Sequence, residues 1–410
     1  MSADWLILAD DLTGAADAAV AFARRGCSTE VTWGATAITG HMAVHARDVG
    51  SRALSAADAA ARHREAFDRW HVPGQRLFKK IDSTLRGQPA AEMAALAAGL
   101  RASGQTSWGL LAPANPAMRR TVHDGRVFVD GGPLEDTITW KREHTYPSAH
   151  LADMVRSAGL RAVRLSLAHL RGEGDAVKTA LEAAAASQTE ADTILICDAE
   201  TDDDLAHIVE AVRPVAPGFF IGTAGLAQVL AHTVPATERL RAVAAPQRRG
   251  TLVAVGTLAE VSRRAARRLA ARDGLEIMTM TPDDSHRAFA RDGAAARLSR
   301  GETVVALLDA GADAAAAPDP HHVIAFAEAL SGAIAQMGAL IVTGGETAAA
   351  LLARCGVHGI GLVDGVEPGI ALGVTRGAIE VPIVTKPGAF GDDGSLCRCL
   401  DAVAALERTA

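Results

Sequence analysis

The chain has 410 residues, of which 49% are hydrophobic, 22% charged and only 4% aromatic, with 39 glycines and a single tyrosine. That length exceeds what one hydrophobic core usually supports and predicts two or three domains, while the scarcity of aromatics leaves few stacking platforms for single-stranded nucleic acid. Forty-one Lys and Arg against 48 Asp and Glu give a formal charge of −7, so no global field draws the chain to nucleic acid or to an anionic membrane.

From the N-terminus, Trp5–Ala9 reads as a buried strand, and Thr13–Arg25 carries Ala16, Ala19, Val20 and Ala23 on one helical face before Gly26. Val31–Trp33 and Met42–Ala46 are further strands, and Ser55-x-x-Asp58 is a capping-box pattern opening a helix to about Trp70. Leu77–Ile81 and Trp108–Ala112 read as strands around a helix over Ala90–Ala102, with Pro89 suiting its first turn. The β-type residues flanking Asp124-Gly125 in Thr121–Asp130 predict a hairpin. Strand–helix alternation resumes with Ala162–Leu167, Asp175–Ser187, Thr193–Cys197, Asp203–Val212, Phe219–Ile221 and Ala224–His232. The aperiodic stretch Val243–Gly250 marks a domain boundary, with 244–250 as linker between 1–243 and 251–410. Beyond it come strands at Leu252–Val255, Glu276–Met280, Thr303–Leu308 and Leu340–Val342, and helices at Val261–Ala271, Val323–Met337 and Thr347–Arg354. Gly and Pro are frequent from Gly356 to Gly394, and loops are expected to dominate there. Asp313–Pro320 is a low-complexity loop with no assigned role.

This pattern predicts an α/β protein of two domains, each with a mostly parallel sheet flanked by helices, and an active site in the interdomain cleft. Five scattered cysteines (Cys27, Cys197, Cys355, Cys397, Cys399) form no disulfide framework, and Cys397-x-Cys399 lacks the second ligand pair of a zinc site. With no basic leader ahead of the first strand and no uncharged apolar run of about 18 residues, the expectation is a soluble cytoplasmic protein.

Ligands of open α/β sheets gather beyond the carboxyl ends of strands, and polar clusters stand at several such places. In ADDLTGAAD (Ala9–Asp17), Asp10 and Asp11 can hold a metal, bind hydroxyls or act as base, or one of them or Thr13 can simply cap the helix. In KKIDSTLRG (Lys79–Gly87), the cations Lys79, Lys80 and Arg86 surround Asp82, Ser83 and Thr84, a mixture suited to an acidic, hydroxylated substrate and read as a local cationic pocket. TGGETA (Thr343–Ala348) opens a helix with paired glycines that let backbone N–H groups approach an anion. GTAGLA (Gly222–Ala227), VGTLAEVS (Val255–Ser262), EPGIALG (Glu367–Gly373) and TKPGAFGD (Thr385–Asp392) are glycine turns that together point to a nucleotide pocket. Walker A, dinucleotide, zincin and nucleophile-elbow motifs are absent from the sequence.

Taken in order, these segments, with Asp48 and GSRALS (Gly50–Ser55), the PxNPxxRRTV stretch (Pro113–Val122) and CDAETDDDL (Cys197–Leu205), resemble the four-carbon acid sugar kinase family over nearly the whole chain. The resemblance implies a sugar-acid-binding N-terminal domain, a nucleotide-binding C-terminal domain, and ATP-dependent phosphorylation of the terminal hydroxyl with Mg2+. It places Asp11, Arg52, Lys80, Ile81, Asp82, Ser83 and Thr84 on the sugar acid, and Gly256, Thr257, Gly344, Gly345, Glu346, Thr347 and Gly388 on ATP. KKIDSTLRG looks like the D-threonate/D-erythronate branch; a 3-oxo-tetronate kinase and a non-catalytic sugar-acid sensor are the alternatives. Departures from the family pattern are the lack of a Ser-Pro in VGTLAEVS, Thr223 in place of a common Ser, and Arg119 where a Gly often stands. On this reading Lys80 and Arg52 fix the substrate carboxylate, and Asp11 or Asp82 accepts the hydroxyl proton. The implied partner is a small-molecule sugar acid rather than nucleic acid or membrane, with a homo-oligomer left open.

Overall fold

The computed structural model describes residues 4–35, 42–172, 177, 179–182, 192–236, 250–281, 287–309 and 320–409. In chain order the strands are β1 (Trp5–Ala9), β2 (Thr29–Trp33), β3 (Val44–Asp48), β4 (Arg76–Lys80), β5 (Gly109–Ala112), β6 (Arg120–His123), β7 (Arg126–Val129), β8 (Gly132–Pro133) and β9 (Arg161–Leu165). They continue as β10 (Thr193–Cys197), β11 (Phe219–Gly222), β12 (Thr251–Val255), β13 (Ile277–Met280), β14 (Val304–Leu308), β15 (Ala339–Thr343), β16 (Val357–Glu367), β17 (Ile370–Gly377) and β18 (Pro382–Lys386).

The chain forms two compact units, one of Met1–Arg25 with Ile38–Thr237 and one of Gly26–Ala37 with Glu238–Ala410. The segment that carries β2 therefore groups with the C-terminal part of the chain, and the first unit is not a continuous stretch of sequence. Most of the expected linker, residues 244–249, lies outside the described residues, as do most of the expected helix Asp175–Ser187 and the loop residues 313–319.

In the first unit the strand order is β3-β1-β4-β11-β5-β10-β9, and every pairing within it is parallel. Trp5–Ala9 and Thr193–Cys197 are buried at every position, as a strand covered by helices on both faces requires. The hairpin expected around Asp124-Gly125 forms from β6 and β7, with φ of +49° and +69° at its two central residues, the geometry of a tight primed turn. Asp198, from the CDAETDDDL stretch, accepts from Gly125 N at 2.9 Å, and Thr201 with Asp204 forms a capping box on the helix Asp202–Val212. That motif is thus architectural.

In the second unit the order is β13-β14-β12-β15-β18-β17-β16-β2, parallel from β13 to β18 and antiparallel beyond. The expectation of loops over Gly356–Gly394 fails here: this stretch holds β16, the longest strand described, together with β17 and β18. Glycine misled because it serves close packing within the ladder. A Cβ on Gly373 would sit 2.6 Å from the Gly361 carbonyl oxygen, and Gly369, at φ +83°, makes the turn between β16 and β17. Register shifts along β16 mark bulges that blur its alternation. Among the described residues no helix is long and apolar enough to cross a membrane. All five cysteines are buried free thiols, and Cys397 and Cys399 lie on the helix Ser395–Thr409.

Opposite stabilities are expected for two glycine replacements. Gly373→Ala should destabilise the protein by about 1–3 kcal/mol through overpacking. Gly293→Ala, in a helix with open space around the added carbon, should stabilise it by about 0.5–1 kcal/mol. Thermal unfolding of both variants against the parent checks the pair.

Candidate active site

In the first unit, Asp10 and Asp11 follow β1, Asp48 ends β3 and Lys80 ends β4, so adjacent parallel strands deliver their polar groups to one edge of the sheet. Asp11 is the N-cap of the helix Leu12–Ala23 and accepts from Gly14 N at 2.8 Å, so its capping role is real. Its carboxylate is also half of a shared ion pair. Arg52 Nη1 lies 2.8 Å from Asp11 Oδ2 and Nη2 lies 3.0 Å from Asp11 Oδ1. The same guanidinium donates through Nε to Asp10 Oδ2 at 2.7 Å and through Nη2 to Asp10 Oδ1 at 2.9 Å. Asp10 also receives the backbone: Ser51 N and Arg52 N both donate to its carbonyl.

Burial by itself would raise the Asp10 pKa, but Arg52 outweighs it and holds the carboxylate below its ordinary value. Desolvation likewise opposes the charge on Arg52, and Asp10, Asp11 and Asp82 overcome it, so the guanidinium stays protonated. Asp82 sits 3.9 Å from Arg52 Nη2 and is bound more closely by Arg86, at 3.0 Å to Oδ1 and 3.1 Å to Oδ2. Thr84 donates to Asp82 from its backbone N at 3.0 Å and from its hydroxyl. Against the cost of burial, Arg86 and these donors hold Asp82 well below the usual carboxylate range. Asp48 behaves in the opposite way. Burial and the nearby Asp11 and Asp10 charges push it up to about 7, although Gly50 N donates to it at 2.7 Å.

The local cationic pocket expected from Lys79, Lys80 and Arg86 is corrected by these contacts. Lys79 is fully buried and paired with Glu92 at 2.8 Å, and Arg86 is neutralised by Asp82 and by Glu143 at 3.3 Å. Lys80 remains. Its Nζ donates to the Ile81 carbonyl at 2.9 Å and makes no ion pair among the described residues. It stands at the start of the helix Leu12–Ala23: a Cβ on Gly14 would lie 3.5 Å from Lys80 Nζ and 2.5 Å from Asp11 Oδ1. The Arg52 guanidinium, expected to meet a substrate carboxylate, spends four of its five N–H donors on Asp10 and Asp11.

Beneath this cluster lies a buried polar network that the sequence reading missed. Glu92 accepts from Lys79, and from Ser51 Oγ at 2.6 Å. His63 Nδ1 donates to the Ala59 carbonyl at 3.1 Å, and desolvation pushes the imidazole down to about 4. Glu92 thereby anchors the residue preceding Arg52. The only sequence signal was a single acidic residue on the Ala-rich helix Pro89–Ala102.

In the second unit, the expected nucleotide residues lie in the loops after three adjacent parallel strands, β12, β15 and β18. Gly256 and Thr257 follow β12, Gly344 to Thr347 lead into the helix Gly345–Arg354, and Gly388 follows β18. They pack against one another: a Cβ on Gly256 would meet Thr347 Oγ1 at 2.1 Å, and one on Gly388 would meet Thr257 Oγ1 at 2.2 Å. Gly344, at φ +93°, caps the helix, and Glu346 in the first turn is exposed. Such a backbone-lined cradle at a helix N-terminus fits the phosphates of a nucleotide. GTAGLA does not belong with these loops; it joins β11 to the helix Ala224–His232 in the first unit, where Thr223 Oγ1 donates to the Ala114 carbonyl at 2.8 Å.

Comparison with known proteins fits both halves. Residues 5–230 match the model of a sugar-binding N-terminal domain, and residues 252–396 match that of a nucleotide-binding C-terminal domain. The chain belongs to the four-carbon acid sugar kinase family. It is 37% identical to the D-threonate kinase of Cupriavidus necator, with 97% of this chain and 98% of that protein covered. It is 32% identical to the D-threonate kinase of Bordetella bronchiseptica, with 97% and 96% covered. A solved structure from Salmonella typhimurium LT2 shares the fold, with a TM-score of 0.80 at 21% identity over 97% of this chain and 99% of that one. The protein is therefore a kinase of four-carbon acid sugars, a phosphotransferase with an alcohol group as acceptor.

Removing one partner of the buried Lys79–Glu92 pair should be costly. Glu92→Leu alone is expected to destabilise the protein by about 3–5 kcal/mol, whereas Lys79→Met combined with Glu92→Leu should recover most of that loss. Urea denaturation of the single and double variants measures both.

Proposed function

We propose that this kinase transfers the γ-phosphoryl group of ATP to the terminal, 4-hydroxyl group of D-threonate or D-erythronate. In this reading residues 1–243 serve the acid and residues 251–410 the nucleotide. One observation carries the proposal: Asp11, fixed by Arg52, and Lys80, with N–H donors to spare, flank Gly14 at one helix N-terminus. A cation and a helix N-terminus suit a carboxylate, and an oriented carboxylate beside them suits a hydroxyl. Lys80 then anchors the acid, while Ile81, Asp82, Ser83 and Thr84 shape the wall that receives its hydroxyl groups. Arg52 serves by orienting Asp10 and Asp11. Asp11 is favoured as proton acceptor because it stands beside Lys80 at the helix N-terminus, whereas Arg86 and Thr84, outweighing burial, hold Asp82 well below the usual carboxylate range and make it the poorer base.

ATP would be held by Gly256, Thr257, Gly344, Gly345, Glu346, Thr347 and Gly388. Phosphoryl transfer depends on positioning and charge neutralisation more than on covalent chemistry by the protein, and a glycine cradle at a helix N-terminus supplies part of both. Among the described residues no group of three or more His, Cys, Asp or Glu is set to hold a metal ion. Mg2+ would be carried on the nucleotide phosphates with waters and would supply charge neutralisation there. The D-threonate kinase names of the relatives above and the KKIDSTLRG segment support the choice of acid.

An ADP-release assay with D-threonate, D-erythronate, their L-isomers and 3-oxo-tetronates tests the reading. Turnover is expected with one of the first two; ADP release with none of these acids would sink it. Asp11→Asn should lower kcat by about 10²–10⁴-fold with ATP affinity unchanged, whereas Asp82→Asn should raise the KM for the acid more than it lowers kcat.

A further inference from the structure

The nucleotide loops contain a buried formal charge. Lys386, the last residue of β18, is 0% exposed. Among the described residues it has no carboxylate within ion-pair distance. Its Nζ donates to Ser262 Oγ at 2.7 Å and to the Pro387 carbonyl at 3.2 Å. Ser262 Oγ, also fully buried, donates in turn to the Gly388 carbonyl at 2.7 Å. Gly388 packs on Thr257, and Gly344 N donates to the carbonyl of Lys386 itself at 2.8 Å. The loops after β15 and β18 are thus tied to residue 386 directly, and the loop after β12 indirectly, through Gly388 and through Ser262 on the helix that follows it.

An ammonium with no carboxylate at ion-pair distance in a dry interior is costly. Desolvation pushes it down to about 8. Its register partner on β15, Thr343, points to the same face of the sheet and holds a buried hydroxyl with no hydrogen-bond partner. A neutral side chain could pack in that space. A cation there makes sense if an anion arrives at the loops it organises.

We propose that Lys386 is a positioning residue for the nucleotide: its ammonium sets the Ser262–Gly388 link and supplies the positive charge that the glycine loops lack. The inference rests on the nucleotide reading given above. The groups around Lys386 are Ser262 on the helix Glu260–Asp273, Cys399 on the helix Ser395–Thr409, Glu367 at the end of β16 and Asp392 in the following loop. Burial pushes the Cys399 thiol up to about 12, and Arg398 pairs with both Glu367 and Asp392, holding Asp392 low.

The test is ATP and ADP binding by titration calorimetry on the full chain, with steady-state KM values for ATP and for the sugar acid. K386M should weaken ATP binding at least tenfold, about 1.4 kcal/mol, and leave the KM of the acid within twofold. S262A, which keeps the charge and breaks the link, should weaken ATP binding by a smaller factor. Wild-type affinity should fall between pH 7 and pH 9, and the K386M profile should be flat. Should K386M fail to fold, S262A and the wild-type pH series decide. Unchanged ATP affinity in both variants, or a wild-type affinity level from pH 7 to pH 9, overturns the inference while leaving nucleotide binding intact. A wild-type chain that binds no adenine nucleotide removes the nucleotide reading as well.

Discussion

The candidate acid site depends on one shared cation. Asp10, Asp11 and Asp82 are three carboxylates with little access to water, and their mutual repulsion would drive protons onto them if nothing opposed it. The Arg52 guanidinium opposes it, with a planar fork that meets Asp10 and Asp11 in two paired contacts. The ion pair also fixes direction. With Arg52 bound on one side and the cap to Gly14 N on the other, Asp11 cannot rotate away from the helix N-terminus where Lys80 stands. Glu92 secures the arrangement from below through Ser51, whose backbone N–H, like that of Arg52, is taken by Asp10.

The two units meet a similar electrostatic problem with different chemistry. The first gathers many charges and balances them, leaving Lys80 with donors to spare. In the second, the proposed nucleotide loops are built from close-packed glycines at a helix N-terminus, with Lys386 buried behind them. A small hydroxylated acid calls for directional side-chain contacts, whereas a polyphosphate can be held by main chain and helix termini. Both arrangements grow from the same device, loops at the carboxyl ends of parallel strands. The net charge of −7 described neither, because the charges that matter are neutralised in pairs.

Much of this was legible in the sequence where local signals and tertiary context agree. Fully buried parallel strands such as β1, β10 and β15 announce themselves as short apolar runs between turn residues, and Asp124-Gly125 makes its hairpin with no help from distant residues. The stretch Gly356–Gly394 was not legible, since its glycines are there to let β16 and β17 pack backbone to backbone. The positions of Asp10, Asp11, Arg52 and Asp82 could be flagged, but not who pairs with whom, because Arg52 finds its partners about forty residues away. Lys79 and Lys80 look alike in sequence; alternation along β4 sends one to Glu92 and the other to the helix N-terminus. Lys386 sat inside a recognised motif and still read as a loop lysine, since its burial comes from the helices Glu260–Asp273 and Ser395–Thr409 packed over it.

The central claim is that the Arg52 fork, rather than positive charge as such, orders the acid site. Steady-state kinetics of Arg52→Lys with the preferred acid tests it most directly, because lysine keeps the charge and loses the planar pair of contacts. The account predicts that kcat/KM for the acid falls by about 100-fold or more, about 2.7 kcal/mol of transition-state stabilisation, with ATP affinity unchanged. A lysine variant with wild-type kcat/KM would contradict it.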